Sequence, residues 1–557
     1  MLKQKWVILL TLIVTAFSVV AGCSYGGNQE ASVKTEKSPS TKTESGKFDP
    51  VVEINTARPT AGIKFKDGED INNNVHTKWA EEELGIKINN MWDSADNGAY
   101  HTKIRLALTS QETLPDVFVV QNRGLVAELM ESGKVMDIQD AFDKYASDRL
   151  KKIYEENDEG LDQVRVNGRL MGLPIFTTGD ATDPMLWVRQ DWLDNLNLEA
   201  PTTIEEFEKV MDAFTNNDPD GNGKDDTFGF TFSGSGGYIN WMSDASFVFG
   251  AYVGNYLPKT YQLSENGKLV YGSTQPGTKE ALGKLREWYS KGYLDKELAV
   301  LDPVKATESF IQGKSGMIAA PSFAYDWPLK DILGNHPDAK VVPYKLPTGS
   351  DGKTARFGST LNENKVMLFN KEFKNIEAFF VYLDKMYDRE FETGDFKYGY
   401  AEGYDYALVD GQPVYDPAKF PEPQKEIYDP GAYSLLWATP MIPFKLSENQ
   451  NYIYEGNEPK TNLQDRISQA NENTIKAGAL NYKMREISAP DVFLGAPTET
   501  MQSKGENLTT MEVELFNKIV YGKEPLDKYD QFVKDWYEKG GTQIEEEVNE
   551  WYESVNK

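Results

Sequence analysis

The sequence predicts an α/β fold whose sheets carry helices on both faces. Short apolar runs of strand length alternate with amphipathic segments of helix length from residue 51 onward. Some runs, such as Asp116–Val120 and Gly316–Ala320, are almost wholly apolar, as strands covered on both faces must be. Cys23 is the only cysteine in 557 residues, so no disulfide or cysteine-held metal supports the fold and a sizeable core must do so.

Ahead of the fold lies an export signal. Lys3 and Lys5 precede an uncharged, mostly apolar run from Trp6 to Val20, then Val20-Ala21-Gly22-Cys23. A basic start, a short apolar run and small residues before a cleavage point make a secretory signal, and the run falls short of the ~20 residues that span a bilayer. Cys23 makes it a lipobox: its thiol is expected to take a diacylglyceryl group, with palmitate as an acyl chain. Two acyl chains, at ~0.8 kcal/mol per buried methylene, hold a protein firmly on a membrane. Residues 1–22 are therefore the predicted signal peptide. Residues 23–47, rich in Ser, Thr, Lys, Glu and Gly, are a predicted lipidated, flexible tether.

Order is expected to begin near Phe48, with Val51–Ile54 as the first strand. Residues 72–84 read as a helix stopped by Gly85, Ile86–Asn90 as a strand and 99–110 as a helix; Leu114-Pro115 leads into the strand Asp116–Val120. A second α/β region begins after Gly172-Leu173-Pro174. It holds predicted strands Met185–Arg189, Thr227–Phe232 and Gly316–Ala320, and helices at 203–214, 277–290 and 303–312. The chain then returns to the first region with strands Val341–Tyr344 and Lys365–Phe369 and a helix at 375–388. Beyond residue 400 the pattern becomes helical, at 461–478, 508–520, 526–539 and 543–554, and these helices are expected to pack on the second region.

A net charge of −28 argues against nucleic acid as a partner and makes local basic residues necessary for any acidic ligand. Some of the 11 Trp, 29 Tyr and 27 Phe must be core, but flat aromatic faces in polar, Gly-rich loops suit sugar rings. Asp218, Asp220, Asn222 and Asp226 place oxygens at positions one, three, five and nine of a loop with Gly223 at six, and Lys224 at seven offers its carbonyl. This is the spacing of a calcium loop, lacking only the acid at twelve, which is Gly229. A structural calcium ion is expected there. Gly313-Lys314-Ser315 lacks the first glycine of a phosphate loop, and the three histidines, His76, His101 and His336, are spaced unlike zinc ligands.

Two clusters read as ligand wall because they follow the carboxyl ends of strands. Gln121 and Arg123 follow Asp116–Val120; Ser322, Tyr325 and Trp327 follow Gly316–Ala320. Trp92, in the polar stretch 91–98, and Tyr238 and Trp241, beside the glycine loop Ser233–Gly237, are further candidates.

An ordered series of segments resembles the extracellular solute-binding lipoproteins of ABC importers, in their LipO-like branch. After the lipobox come Leu114-Pro115-Asp116-Val117, Gly168-Arg169-Leu170-Met171-Gly172-Leu173-Pro174 and Leu186-Trp187-Val188-Arg189-Gln190-Asp191-Trp192-Leu193. The calcium-like loop, Phe310–Met317 and Trp536–Asn549 complete the series. The resemblance implies a two-lobed, periplasmic-binding-protein-like fold (type II) with the ligand cleft between lobes and a helical C-terminal part. One lobe would comprise 48–175 and 338–400, the other 176–337 and 401–557. It adds Arg58, Asp180 and Trp437 to the expected ligand contacts. It also implies a non-enzymatic monomer on the outer face of a Gram-positive membrane, delivering an oligosaccharide to an ABC permease. An exported polysaccharide-acting enzyme, with a carboxylate pair among the 87 acids, and a receptor for a peptide or metal chelate are the alternatives.

Overall fold

A computed structural model describes residues 41–556 apart from 45 and 111; Cys23, the signal 1–22 and most of the tether lie outside the described residues. The tether's end is not all loose: Thr41–Lys42 pairs antiparallel with Phe48–Asp49.

The first lobe opens with β1 (Val52–Pro59), α1 (Val75–Leu84) and β2 (Ile86–Ser94), with β1 and β2 parallel. Asn74 caps α1 by accepting from the backbone of His76 and Thr77, and Gly85 ends it at φ 66°. A side chain at Gly85 would also bring its Cβ within 2.2 Å of the Phe48 carbonyl, so glycine alone satisfies both the left-handed turn and the close approach. The β1–β2 register slips between Thr56 and Ala57, leaving Met91 as the extra residue and setting Trp92 opposite Ala57. After α2 (Asn97–Thr109) and β3 (Val117–Val120) comes α3 (Arg123–Glu131), then β4 (Leu173–Pro174).

The chain then crosses to the second lobe. β5 (Met185–Arg189), β6 (Phe228–Thr231), β7 (Ser315–Ala320) and β8 (Val341–Tyr344) form one sheet in the order β6-β7-β5-β8. Alternation along β5 divides the lobe's apolar contents. Leu186 and Val188 join the main core, while Met185 and Trp187 face a smaller cluster with Ile318 and Ala320 of β7. Val341–Tyr344 therefore belongs to the second lobe, antiparallel to β5, and not to the returning chain as its sequence position suggested. A short apolar strand carries no signal of which sheet it will join.

β9 (Val366–Phe369) brings the chain home, antiparallel to both β3 and β4. The first lobe's core also includes Tyr400, Leu435 and Leu436, so the segment through 436 packs there and not on the second lobe as expected. Expected helix 461–478 is two helices, Asn462–Ser468 and Glu472–Lys483, whereas Leu508, Phe516, Ile519 and Val548 do enter the second core. Among the described residues no helix is long and apolar enough to cross a membrane.

The crossings are locked by a buried polar knot. Arg356, with no exposed surface, pairs with Asp183 at 3.3 Å and donates to the Pro184 and Asn481 carbonyls and to Ser488 Oγ. Asp183 in turn accepts from the backbone N–H and hydroxyl of Ser359 and from the Ser488 hydroxyl.

Candidate functional site

Where the crossing segments leave the first lobe, two cavities adjoin. One, of about 400 Å³, is walled by Arg58 and Pro59 at the end of β1, Gln121 after β3, Lys365, Tyr433 and Trp437. The other, of about 490 Å³, shares Lys365, Ile427 and Asp429 with it and continues to Thr178, Arg389, Tyr415 and Arg466. A narrower extension carries on past Thr178, Arg389, Tyr415 and Arg466 to Lys397. The result is a groove lined by aromatic, aliphatic and charged side chains.

Gln121, expected from the strand-end argument, follows β3, and Arg58, supplied by the resemblance, stands near the end of β1; both line the first cavity. Gln121 Nε2 donates to the Glu363 carbonyl at 3.2 Å. Arg58 is buried and donates to the Ser434 carbonyl at 3.0 Å; burial lowers its pKa to about 10. Trp437 stands on edge against Tyr100 at 4.7 Å, with its buried Nε1 unpartnered.

The other expected contacts divide. Trp241 and Trp327 of the second lobe are 39% and 49% exposed and nearly parallel, 6.4 Å apart. Ser322 and Tyr325 are half-buried in a single 3-10 turn, with Tyr325 stacked 6.2 Å from Trp187. Trp92 is half-buried beside Tyr100, and the Lys103 ammonium sits 4.2 Å from its ring centre.

Three expected contacts do not line this groove, although Arg123 borders a separate cavity with Lys259 and Asp491. Tyr238 is a core residue: it is buried between Phe232 and Phe249 and donates to Asn517 Oδ1. Asp180 lies buried under the crossing segments, its carboxyl pushed up to about 6 by burial. Arg123 spends its donors on protein: Nε on Asn364 Oδ1 at 2.8 Å and Nη1 on the Phe493 carbonyl at 2.7 Å, with Asp491 at 3.9 Å. It ties α3 to the second lobe. Arg389, Lys397, Tyr415 and Arg466 were missed; the tyrosine density of 398–433 was the one signal available.

In the loop 218–226, Asp218 accepts from the N–H groups of Asn222 and Gly223, and Asn222 Nδ2 bridges Asp220 and Asp226. Burial and the neighbouring Asp218 and Asp226 raise the Asp220 carboxyl. A Cβ at Gly229 would sit 2.5 Å from Met211, so position twelve offers no ligand. Among the described residues no three His, Cys, Asp or Glu side chains group closely enough to hold a metal. The fit is thus incomplete as folded: the carboxylates ring the loop but are engaged by its own N–H groups.

Comparison with known proteins agrees with the two-lobed architecture. The chain is 23% identical to the lipoprotein LipO of Bacillus subtilis, over 86% of this chain and 88% of that protein. It is 24% identical to the polygalacturonan/rhamnogalacturonan-binding protein YtcQ of the same organism, over 99% of each. Among solved structures, an HMO-binding, ABC-transporter-associated solute-binding protein of Bifidobacterium longum infantis matches with a TM-score of 0.65 at 16% identity, covering 91% of this chain and all of that one. An EF-hand mutant of the Streptococcus pneumoniae protein FusA, bound to fructo-nystose, matches with a TM-score of 0.58 at 19% identity, covering 91% and 99%. The family model for the bacterial extracellular solute-binding protein matches residues 63–390, more than half of the chain. The chain belongs to this family of extracellular binding proteins, which are not enzymes.

Proposed function

We propose that the protein captures an oligosaccharide outside the cell and hands it to the permease of an ABC importer. The observation that carries this reading is the connected groove at the crossing segments, with Gln121, Tyr415 and Trp437 along it. A pyranose would lay its C–H faces on such rings and spend its hydroxyls on the neighbouring polar groups. The names of the relatives that bind sugars support the same ligand class. Trp241, Trp327, Ser322 and Tyr325 would close over the ligand from the second lobe by a hinge at the crossings. A lipid on Cys23 would hold the protein, as a monomer, beside its permease, with the tether giving it room to turn.

The loop 218–226 belongs to this reading as a structural calcium site. Binding would require Asn222 to release the carboxylates of Asp220 and Asp226, with the Lys224 carbonyl and water completing the shell.

A thermal-shift screen against an oligosaccharide panel, with recovery of each sugar afterwards, tests the function. A rise in melting temperature with intact sugar is expected. Failure of every sugar to shift it, or recovery of cleaved product, would sink the proposal.

A further inference from the structure

The groove sets six basic side chains against five acidic ones in a chain of net charge −28, and the way its arginines are held bears on the ligand's charge. Arg389 and Arg466 are half-buried and line both the main cavity and its narrow extension. Among the described residues neither has an ion-pair partner. Arg389 has one long hydrogen bond, to Thr439 Oγ1 at 3.4 Å, and lies 5.2 Å from the Tyr400 ring centre. The Arg466 guanidinium has no acceptor among the described residues and lies 5.4 Å from the Tyr415 ring centre. Lys397, in the same extension, has its ammonium 4.9 Å from the Tyr398 ring centre and no ion pair among the described residues.

The nearby acids are committed elsewhere. Asp405 accepts from the backbone N–H groups of Tyr400 and Ala401 at 2.8 and 2.9 Å, and Asp429 from Gly431 at 3.0 Å. Glu392 caps the helix Asn462–Ser468 through the N–H groups of Asn462 and Leu463, and Glu390 faces Lys445 at 3.8 Å. Burial and then the neighbouring Arg389 lower the pKa of Arg466; burial works against Arg389 too, but Tyr400, Asp405 and Glu390 raise its pKa overall, so the cost of two like charges falls on Arg466. Guanidinium forks left open in a half-dry groove match carboxylate geometry, and charge-assisted pairs of that kind are strong. Arg58, at the far end and without a carboxylate partner among the described residues, repeats the feature.

We infer that the groove takes an anionic oligosaccharide of uronate type, with Arg389 and Arg466 receiving a sugar carboxylate and Tyr415 stacking beside it. This rests on the carbohydrate reading and narrows it. The cations also answer the repulsion that so acidic a chain imposes on an acidic ligand.

Titration calorimetry with short oligogalacturonate and alginate oligosaccharides, their methyl esters and neutral oligosaccharides tests the inference on the unaltered protein. The free acid should bind about tenfold or more tighter than its ester, and lose affinity as salt rises. Arg466→Gln should weaken the acid about tenfold or more and the ester by a clearly smaller factor. Equal affinity for acid and ester would overturn the inference, as would tight binding of neutral sugars alone; in both cases the carbohydrate reading survives. Binding of none of the sugars would overturn both.

Discussion

Two sets of arginines in this protein stand in opposite states. Arg356 at the crossings is fully buried, yet its guanidinium meets a carboxylate, a hydroxyl and two carbonyls. Arg389 and Arg466 in the groove are less buried and have between them one long hydrogen bond among the described residues. A charge taken out of water costs several kcal/mol unless its partners replace the solvent. The satisfied arginine is therefore a structural fastener, and the unsatisfied pair is held open for something the chain does not itself contain.

The largest effect expected from breaking this contrast is at the fastener. Arg356→Met leaves Asp183, itself buried, without its counter-ion, and should cost ~3–5 kcal/mol in urea unfolding. Adding Asp183→Asn should recover much of that loss. A single variant as stable as the parent would show that the knot does not carry the crossings.

A lone buried acid in the second lobe sharpens the same rule through pH. Glu512 has almost no exposed surface and accepts from the Tyr271 and Ser273 hydroxyls at 2.9 and 2.7 Å, and burial raises its pKa to about 7. Below the unfolded-chain value of 4.5 both states hold the proton and the group adds nothing. As pH rises toward 7 the unfolded chain has released the proton while the fold keeps it, so stability falls; above 7 the full penalty is present. Glu512→Gln should therefore stabilise at pH 8 relative to pH 5, by up to ~3 kcal/mol. Parallel stability–pH curves for the two proteins would refute the assignment.

Smaller effects concern the loop and the exposed tryptophans. If calcium fills the loop 218–226, a chelator should remove ~1–3 kcal/mol, the worth of a site held well above its dissociation constant. No shift in melting temperature at low calcium would leave the loop as a turn held by its own Asp218 and Asn222 hydrogen bonds. Trp241→Ala with Trp327→Ala should weaken sugar binding by ~1–3 kcal/mol and leave the fold intact, since both rings are already exposed. Unchanged affinity would remove the second lobe's pair from the site.

What the sequence disclosed follows the range of the physics involved. β5 and the end of α1 were legible because a short apolar run and a terminal glycine are local signals. The pairing of Val341–Tyr344 with β5, and the packing of Leu435 and Leu436 in the first core, were not, because long-range partners leave no local mark. The site divided in the same way. Strand ends pointed to Gln121, and the resemblance supplied Arg58 and Trp437, but an aromatic beside a glycine loop could be wall or core, and Tyr238 proved to be core. Arg389 and Arg466 lie 77 positions apart, and nothing in either neighbourhood says that the other, or the absence of a carboxylate, is there.

That absence gives the finest test of the comparison. Arg466→Gln removes a half-buried charge that has no acceptor among the described residues and that burial and Arg389 both oppose. Its stability in the ligand-free protein should stay within about 0.5 kcal/mol of the parent or rise, in contrast to Arg356→Met. The favourable term at stake is the packing of the side chain on Tyr415, and glutamine's methylenes keep part of it. A urea midpoint lowered as far as that of Arg356→Met would show Arg466 to be a second fastener. An unchanged or higher midpoint together with weaker binding of the acidic sugar would mark it as a group whose partner comes from outside the chain.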